Sequence, residues 1–181
     1  MRTPAPLPTH EYMKLFAYGS NLCLHRLRRR VPGAAFVGRA RLDGYQLRFH
    51  KRGFRDGSGK ANVLHTGNAA EHVWGAVFTC PDEEKCLLDH AEGLGSGYDE
   101  EVLQVCREDG TLERVRAYVA DPATIDDALL PFTWYLRYVR EGAAERGLPA
   151  AYRLRLEEQA CRPDPDRTRA RGNLLVPAGL A

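Results

Sequence analysis

The chain has 181 residues, 44 % of them hydrophobic and 28 % charged, with a formal net charge of +2. That suits one soluble domain with a real apolar core and is too short for two, while the near-neutral balance argues against a dedicated nucleic-acid binder. Five scattered cysteines (Cys23, Cys80, Cys86, Cys106, Cys161) form no CxxC, and no histidine pair has HExxH spacing, so neither a disulfide framework nor a zinc site is expected and a reducing cytoplasm fits.

The opening MRTPAPLPTHEY lacks the apolar stretch of a signal peptide, no run is long enough to span a bilayer, and residues 1–12 read as a proline-rich, flexible arm. MKLFAY is a compact apolar strand, and LCLHRLRRRVPG a short helix stopped by Pro32-Gly33. Two strands are expected about Asp43-Gly44, a dipeptide of tight turns. A glycine-rich loop (FRDGSGKAN) and two more strands, ANVLHTG and HVWGAVFTC, follow. PDEEKCLLDHAEG predicts a helix with acidic residues at its positive end and Gly93 as its stop. A hairpin turns at Asp109-Gly110. Ile125, Leu129, Phe132, Leu136 and Val139 mark one helix face. A last helix is expected over residues 149–161, then a mostly irregular tail over 162–181. The class is α+β with a mixed or antiparallel sheet, possibly closed.

Some motifs fail. Gly57-Ser58-Gly59-Lys60 lacks the Ser or Thr that a phosphate loop needs after its lysine, since Ala61 stands there. GLGSG (93–97) follows a helix instead of opening one, against a dinucleotide site. Arg26, Arg28, Arg29 and Arg30 read as a solvated helix face. Ser20 lies on a strand-to-helix turn but lacks the GxSxG of a nucleophile elbow; His65, His72 and His90 leave a distant base open.

Two features carry chemistry. In Tyr18-Gly19-Ser20-Asn21 a strand ends where a helix begins; Gly19 permits close approach, and Ser20 and Asn21 are natural N-caps. Such a bend is either a well-capped helix start or a seat of amides for a carboxylate or an oxyanion. Glu92 stands in the last turn of its helix, where the dipole disfavours a carboxylate, beside Gly93, Gly95 and Gly97. Buried, it would suit general acid/base work; exposed, it would only fray a helix end.

FAYGSNL, VWGAVF, LLDHAEGLGSGY and a helix ending in GLP, in this order, resemble the γ-glutamylcyclotransferase family, from Leu15 to about residue 160. The resemblance implies a γ-glutamylcyclotransferase-like (AIG2-like) fold: a small mixed β-barrel with flanking helices, here a single domain over residues 13–161. Its pocket would need no cofactor and no metal, and would take a small-molecule γ-glutamyl substrate, not nucleic acid or a membrane. By the same resemblance Tyr18, Gly19, Ser20, Asn21 and Leu22 bind the glutamyl group, Glu92 is the acid/base, and Tyr98 and Tyr135 complete the substrate site. The implied reaction is attack of the substrate's own α-amine on its γ-carbonyl, giving 5-oxoproline and a free amine or amino acid, as cyclising lyases or acyltransferases of glutathione metabolism do. A carboxylate-binding protein of the same fold and a Ser20-dependent hydrolase are the alternatives. Asp99-Glu100-Glu101 departs from the family's pattern; were it to border the pocket, a cationic leaving group such as a polyamine would be favoured, and otherwise it is a solvated strand end.

Overall fold

The computed structural model describes residues 11–174; residues 1–10 of the expected arm and 175–181 of the tail lie outside the described residues. The first strand, β1 (Tyr12–Ala17), buries Met13 and Leu15 between exposed Tyr12 and Lys14, then continues into buried Phe16 and Ala17. It belongs to a closed barrel with β2 (Ala35–Asp43), β5 (His72–Pro81), β6 (Tyr98–Arg107) and β7 (Leu112–Ala120), in the order β1-β5-β2-β6-β7. A parallel bridge between Leu15 and Arg116 joins β1 to β7 and closes the ring, whose other pairings are antiparallel. Phe16, Leu42, Val73, Phe78, Val105 and Ala117 are buried in the core it builds. The closed α+β architecture expected from the sequence is thus present.

The remaining strands, β3 (Tyr45–Arg52) and β4 (Gly59–His65), pair only with each other among the described strands. Asp43-Gly44 therefore does not join a hairpin. Gly44 sits in a left-handed turn, but its amide bonds Glu71 O, and the chain leaves the barrel there for a separate two-stranded sheet. Asn62 anchors that sheet: its Oδ1 accepts from Ala120 N of β7 at 2.8 Å.

The helices are α1 (Leu24–Arg28), α2 (Lys85–Glu92), α3 (Thr133–Glu145), α4 (Ala150–Glu158) and α5 (Arg167–Leu174). α1 is shorter than expected, a five-residue helix after a 3-10 turn at Ser20–Leu22. The expected 125–139 helix begins only at Thr133. Pro131 disfavours helical backbone at Leu130, and Ile125 instead bridges Lys51. Phe132, Leu136 and Val139 do lie buried along α3. This helix can lie against the 20–23 turn because position 142 is glycine: a Cβ there would stand 2.3 Å from Cys23 N. Residues 167–174, expected to be irregular, are helical, and Tyr138 of α3 donates to Asn173 O of α5.

Candidate active site

Leaving the barrel at Ala17, the chain passes through buried Tyr18 and turns at Gly19. Leu22 N bonds Gly19 O at 3.0 Å, closing the 3-10 turn. The first amides of such a turn have no acceptor within it. Neither Ser20 nor Asn21 serves as an N-cap: Gly19 and Cys23 hold the two cap positions, and no side chain caps either helix. The two polar side chains are used elsewhere. Ser20 Oγ accepts from Arg26 Nε at 3.1 Å. Asn21 Nδ2 donates to Glu92 Oε1 at 2.9 Å.

That last contact settles where the carboxylate points. Glu92 ends α2, with Gly93 left-handed behind it, and its side chain is only 13 % exposed. Arg30 Nη1 lies 2.5 Å from Glu92 Oε1 and 2.9 Å from Asn21 Oδ1. Arg30, Asn21 and Glu92 thus form a closed triangle of polar contacts, charge-assisted on the arginine side.

The amide bend and this carboxylate face one hollow of about 370 Å³, counting its open mouth. Tyr18, Gly19, Ser20, Asn21, Glu92, Tyr98 and Tyr135 of the expected residues line it, joined by Tyr118 and Ala61. Leu22 does not: its side chain is wholly buried in the core and its amide is spent on Gly19. Ala61 is the fixed point opposite the bend, its N–H donated to Tyr135 Oη at 3.0 Å and its carbonyl accepting from Tyr98 Oη at 2.7 Å. A Cβ at position 19 would sit 2.9 Å from Ala61 Cβ and 3.3 Å from the Tyr135 hydroxyl, so glycine is what lets the walls approach this closely. Tyr18 donates to Tyr118 O, and Tyr118 to Asp89 Oδ1. Burial pushes Tyr18, Tyr98 and Tyr135 above the ordinary phenol range, so they remain protonated donors.

The acidic run does not enter the hollow. Asp99 and Glu101 are exposed, and Glu100 is held by Lys85 and Arg116. Ser20 is met by an arginine, which cannot take its proton, while His65 packs on Tyr45 and His72 on Trp74. No group of three or more His, Cys, Asp or Glu gathers to hold a metal among the described residues. No helix there is long and apolar enough to cross a membrane.

Comparison with known proteins identifies the family. Residues 72–156 match the AIG2-like family. The gamma-glutamylcyclotransferase of Homo sapiens is 32 % identical over 158 residues, covering 83 % of this chain and 80 % of that protein. The chain belongs to the γ-glutamylcyclotransferase family. Its Bos taurus member is also 32 % identical, over 78 % of this chain and 75 % of the bovine one. A solved structure of a gamma-glutamyl cyclotransferase superposes with a TM-score of 0.77 at 29 % identity, over 84 % of this chain and 90 % of that one. YkqA from Bacillus subtilis shares the fold, with a TM-score of 0.68 at 21 % identity over 81 % of this chain and 53 % of its own. A family of enzymes is thus established for a chain whose YGSN bend and Glu92 meet across one hollow.

Arg30 is the site residue that sequence reasoning missed by reading the arginines as one solvated face. Arg28 and Arg29 are exposed, whereas Arg26 and Arg30 are half-buried. Their spacing of four residues, which places two side chains on one helical face, was the available signal.

Proposed function

We propose that the protein cyclises γ-glutamyl amides, releasing 5-oxoproline and an amine or amino acid, with Glu92 moving the protons. One observation supports this above the rest: the Glu92 carboxylate and the 19–21 bend are joined by the Asn21–Glu92 hydrogen bond at 2.9 Å inside a shared hollow. A γ-glutamyl amide carries its own nucleophile, so catalysis is chiefly orientation of the α-amine toward the γ-carbonyl carbon. As that nitrogen–carbon bond forms, the amine gives up a proton. Glu92, as a carboxylate, can take it and hand it to the departing nitrogen as the amide bond breaks. No water enters the balance. The amides that open the 3-10 turn, with the protonated Tyr135 beside them, suit the growing oxyanion and the substrate carboxylate. The five cysteines are free and scattered, which suits a reducing compartment.

Incubating the protein with a panel of γ-glutamyl compounds and weighing the products tests the reading. Cyclisation yields 5-oxoproline with no solvent oxygen. Free glutamate bearing solvent oxygen would replace the reading with hydrolysis, and saturable binding without product would replace it with a binding protein. Glu92→Gln should fold normally and lose about 10²- to 10⁴-fold in turnover; a fully active variant ends the proposal.

A further inference from the structure

Four tyrosines line the hollow, and three give their hydroxyl protons to the protein: Tyr18 to Tyr118 O, Tyr98 to Ala61 O and Tyr118 to Asp89 Oδ1. Tyr135 differs. Its oxygen accepts from Ala61 N at 3.0 Å, and the Ser20 side chain is its other hydrogen-bond partner. Where the Tyr135 proton goes therefore depends on which way the Ser20 hydroxyl faces, since each group has one proton to give.

Arg26 of α1 fixes that direction. Its guanidinium lies 4.5 Å from the Tyr138 ring centre and 5.8 Å from that of Trp134, faces that hold a planar cation without taking up its N–H groups. The partner of its Nε is a hydroxyl and not a carboxylate: it donates to Ser20 Oγ at 3.1 Å. A hydroxyl that accepts from a cation is polarised, and its own proton points away from the arginine. Ser20 then donates to the Tyr135 oxygen, and Tyr135 keeps its proton for the hollow. The charges act in the same sense. Burial raises the Tyr135 pKa most and the Glu92 charge adds to that, while the Ala61 amide, the Arg26 charge and the Ser20 hydrogen bond pull it back. Those three make Tyr135 a stronger donor without removing its proton.

Resting on the cyclase reading, we propose that Arg26 is a positioning residue that acts through Ser20 to turn the Tyr135 hydroxyl onto the γ-carbonyl oxygen of the substrate. That oxygen gains negative charge as the α-amine adds to the carbonyl carbon and loses it as the departing nitrogen leaves. The Tyr135 hydrogen bond strengthens and relaxes in step, and no proton is passed along the line, so the proton balance at Glu92 is unaltered.

Double-mutant cycles read as kcat and KM for 5-oxoproline release from γ-glutamyl-alanine test this. Tyr135→Phe should lower kcat about 100-fold, the scale of a lost oxyanion donor. Arg26→Met, which keeps a stem against the rings, and Ser20→Ala, which keeps the backbone amide, should each lower kcat about tenfold with KM within about twofold. Together they should cost no more than the larger single loss, and neither should add to the loss in Tyr135→Phe. An arginine that only supports the fold would still cost activity in the Tyr135→Phe protein. Should Arg26→Met not fold, Arg26→Lys, which keeps the charge and loses the fork, takes its place in the same cycles. Losses that multiply, a KM rise with kcat unchanged at position 26, or a fully active Tyr135→Phe overturn the Arg26 assignment while leaving cyclisation standing. Absence of 5-oxoproline from the unmutated protein with every γ-glutamyl compound overturns the cyclase reading, and this inference with it.

Discussion

The two walls of the hollow hold buried charge with different emphasis. On the wall built by the β1 exit, the residues after α1 and the end of α2, charge meets charge: Arg30 binds Glu92, and Asn21 bonds both. On the wall built by β3 and β4, aromatic rings stand beside the cations, and Lys60 keeps Asp56 as a charge partner as well. Lys60 lies 4.7 Å from the Tyr135 ring centre and 4.8 Å from that of Trp134, and Lys51 lies over Tyr98. A hydrogen-bonded triangle fixes where a carboxylate points, which is what proton transfer demands. A ring face adds attraction for a cation without consuming its hydrogen-bonding capacity. The first wall is the one on which the proposed proton transfer would take place.

Below the loss expected for Glu92→Gln, the largest effect that sharpens this contrast is at Arg30. On the proposed mechanism it acts through Glu92, as a positioning residue. Arg30→Gln should lower kcat about 10- to 100-fold, the scale of a misoriented reacting group, with KM within about twofold. Arg30→Lys should recover part of kcat, because the charge returns without the planar fork. A rise in KM with kcat unchanged would move Arg30 from aiming the carboxylate to binding substrate.

Asp56 tests the other wall. Burial pushes its carboxyl up, but the Lys60 and Ser58 hydrogen bonds outweigh that and bring it below the usual range. Asp56→Asn removes the charge partner of a largely buried ammonium, which costs about 3 kcal/mol or more when the pair is tight. Urea unfolding should report a loss of that size. An unchanged midpoint would mean that the rings of Trp134 and Tyr135 suffice to hold Lys60 without a charge partner.

The difference between the walls also explains what could be read from the chain. The chemical wall is built from local signals: an apolar strand broken by Gly19, a helix ended by Gly93, and a glutamate placed where a helix end disfavours it. Those are properties of a few consecutive residues. The β3–β4 wall depends on long-range placement. Asp43-Gly44 has turn chemistry, yet whether the next strand pairs with the last one depends on β5 taking the position beside β2. Lys51 and Lys60 lie nine positions apart in the chain, and nothing local announces that both face tyrosines contributed by β6 and α3. Spacing alone extended α3 back to Ile125 because the apolar period continues through Pro131, whose backbone constraint outweighs the pattern. The polar ring of contacts at α5 was hidden for a related reason: RPDPDRTRARGN has no apolar stripe, and its helix is tied down by one buried carboxylate instead.

That carboxylate gives the smallest expected effect. Asp164 accepts from Trp134 Nε1 at 2.8 Å, from Arg169 Nε at 2.7 Å and from Arg169 Nη2 at 2.6 Å. The Arg169 hydrogen bonds pull its carboxyl down most, burial pushes back, and Trp134 and the Asp166 amide add to the lowering, leaving it at about 2. An unfolded aspartate titrates near about 3.9. The folded value being the lower one, the contribution is complete above about pH 4 and is lost as pH falls through about 2, for a total of about 2 kcal/mol. Asp164→Asn keeps an acceptor for Trp134 and removes the titration. The stability gap between the two proteins should therefore be about 2 kcal/mol at about pH 6 and close progressively below about pH 4. Because Trp134 also forms part of the ring face behind Lys60, its fluorescence followed through that acid window shows whether loosening α5 disturbs the β3–β4 wall. A gap that stays constant throughout would mean that Asp164 holds α5 by shape and neutral hydrogen bonds, with its charge contributing nothing.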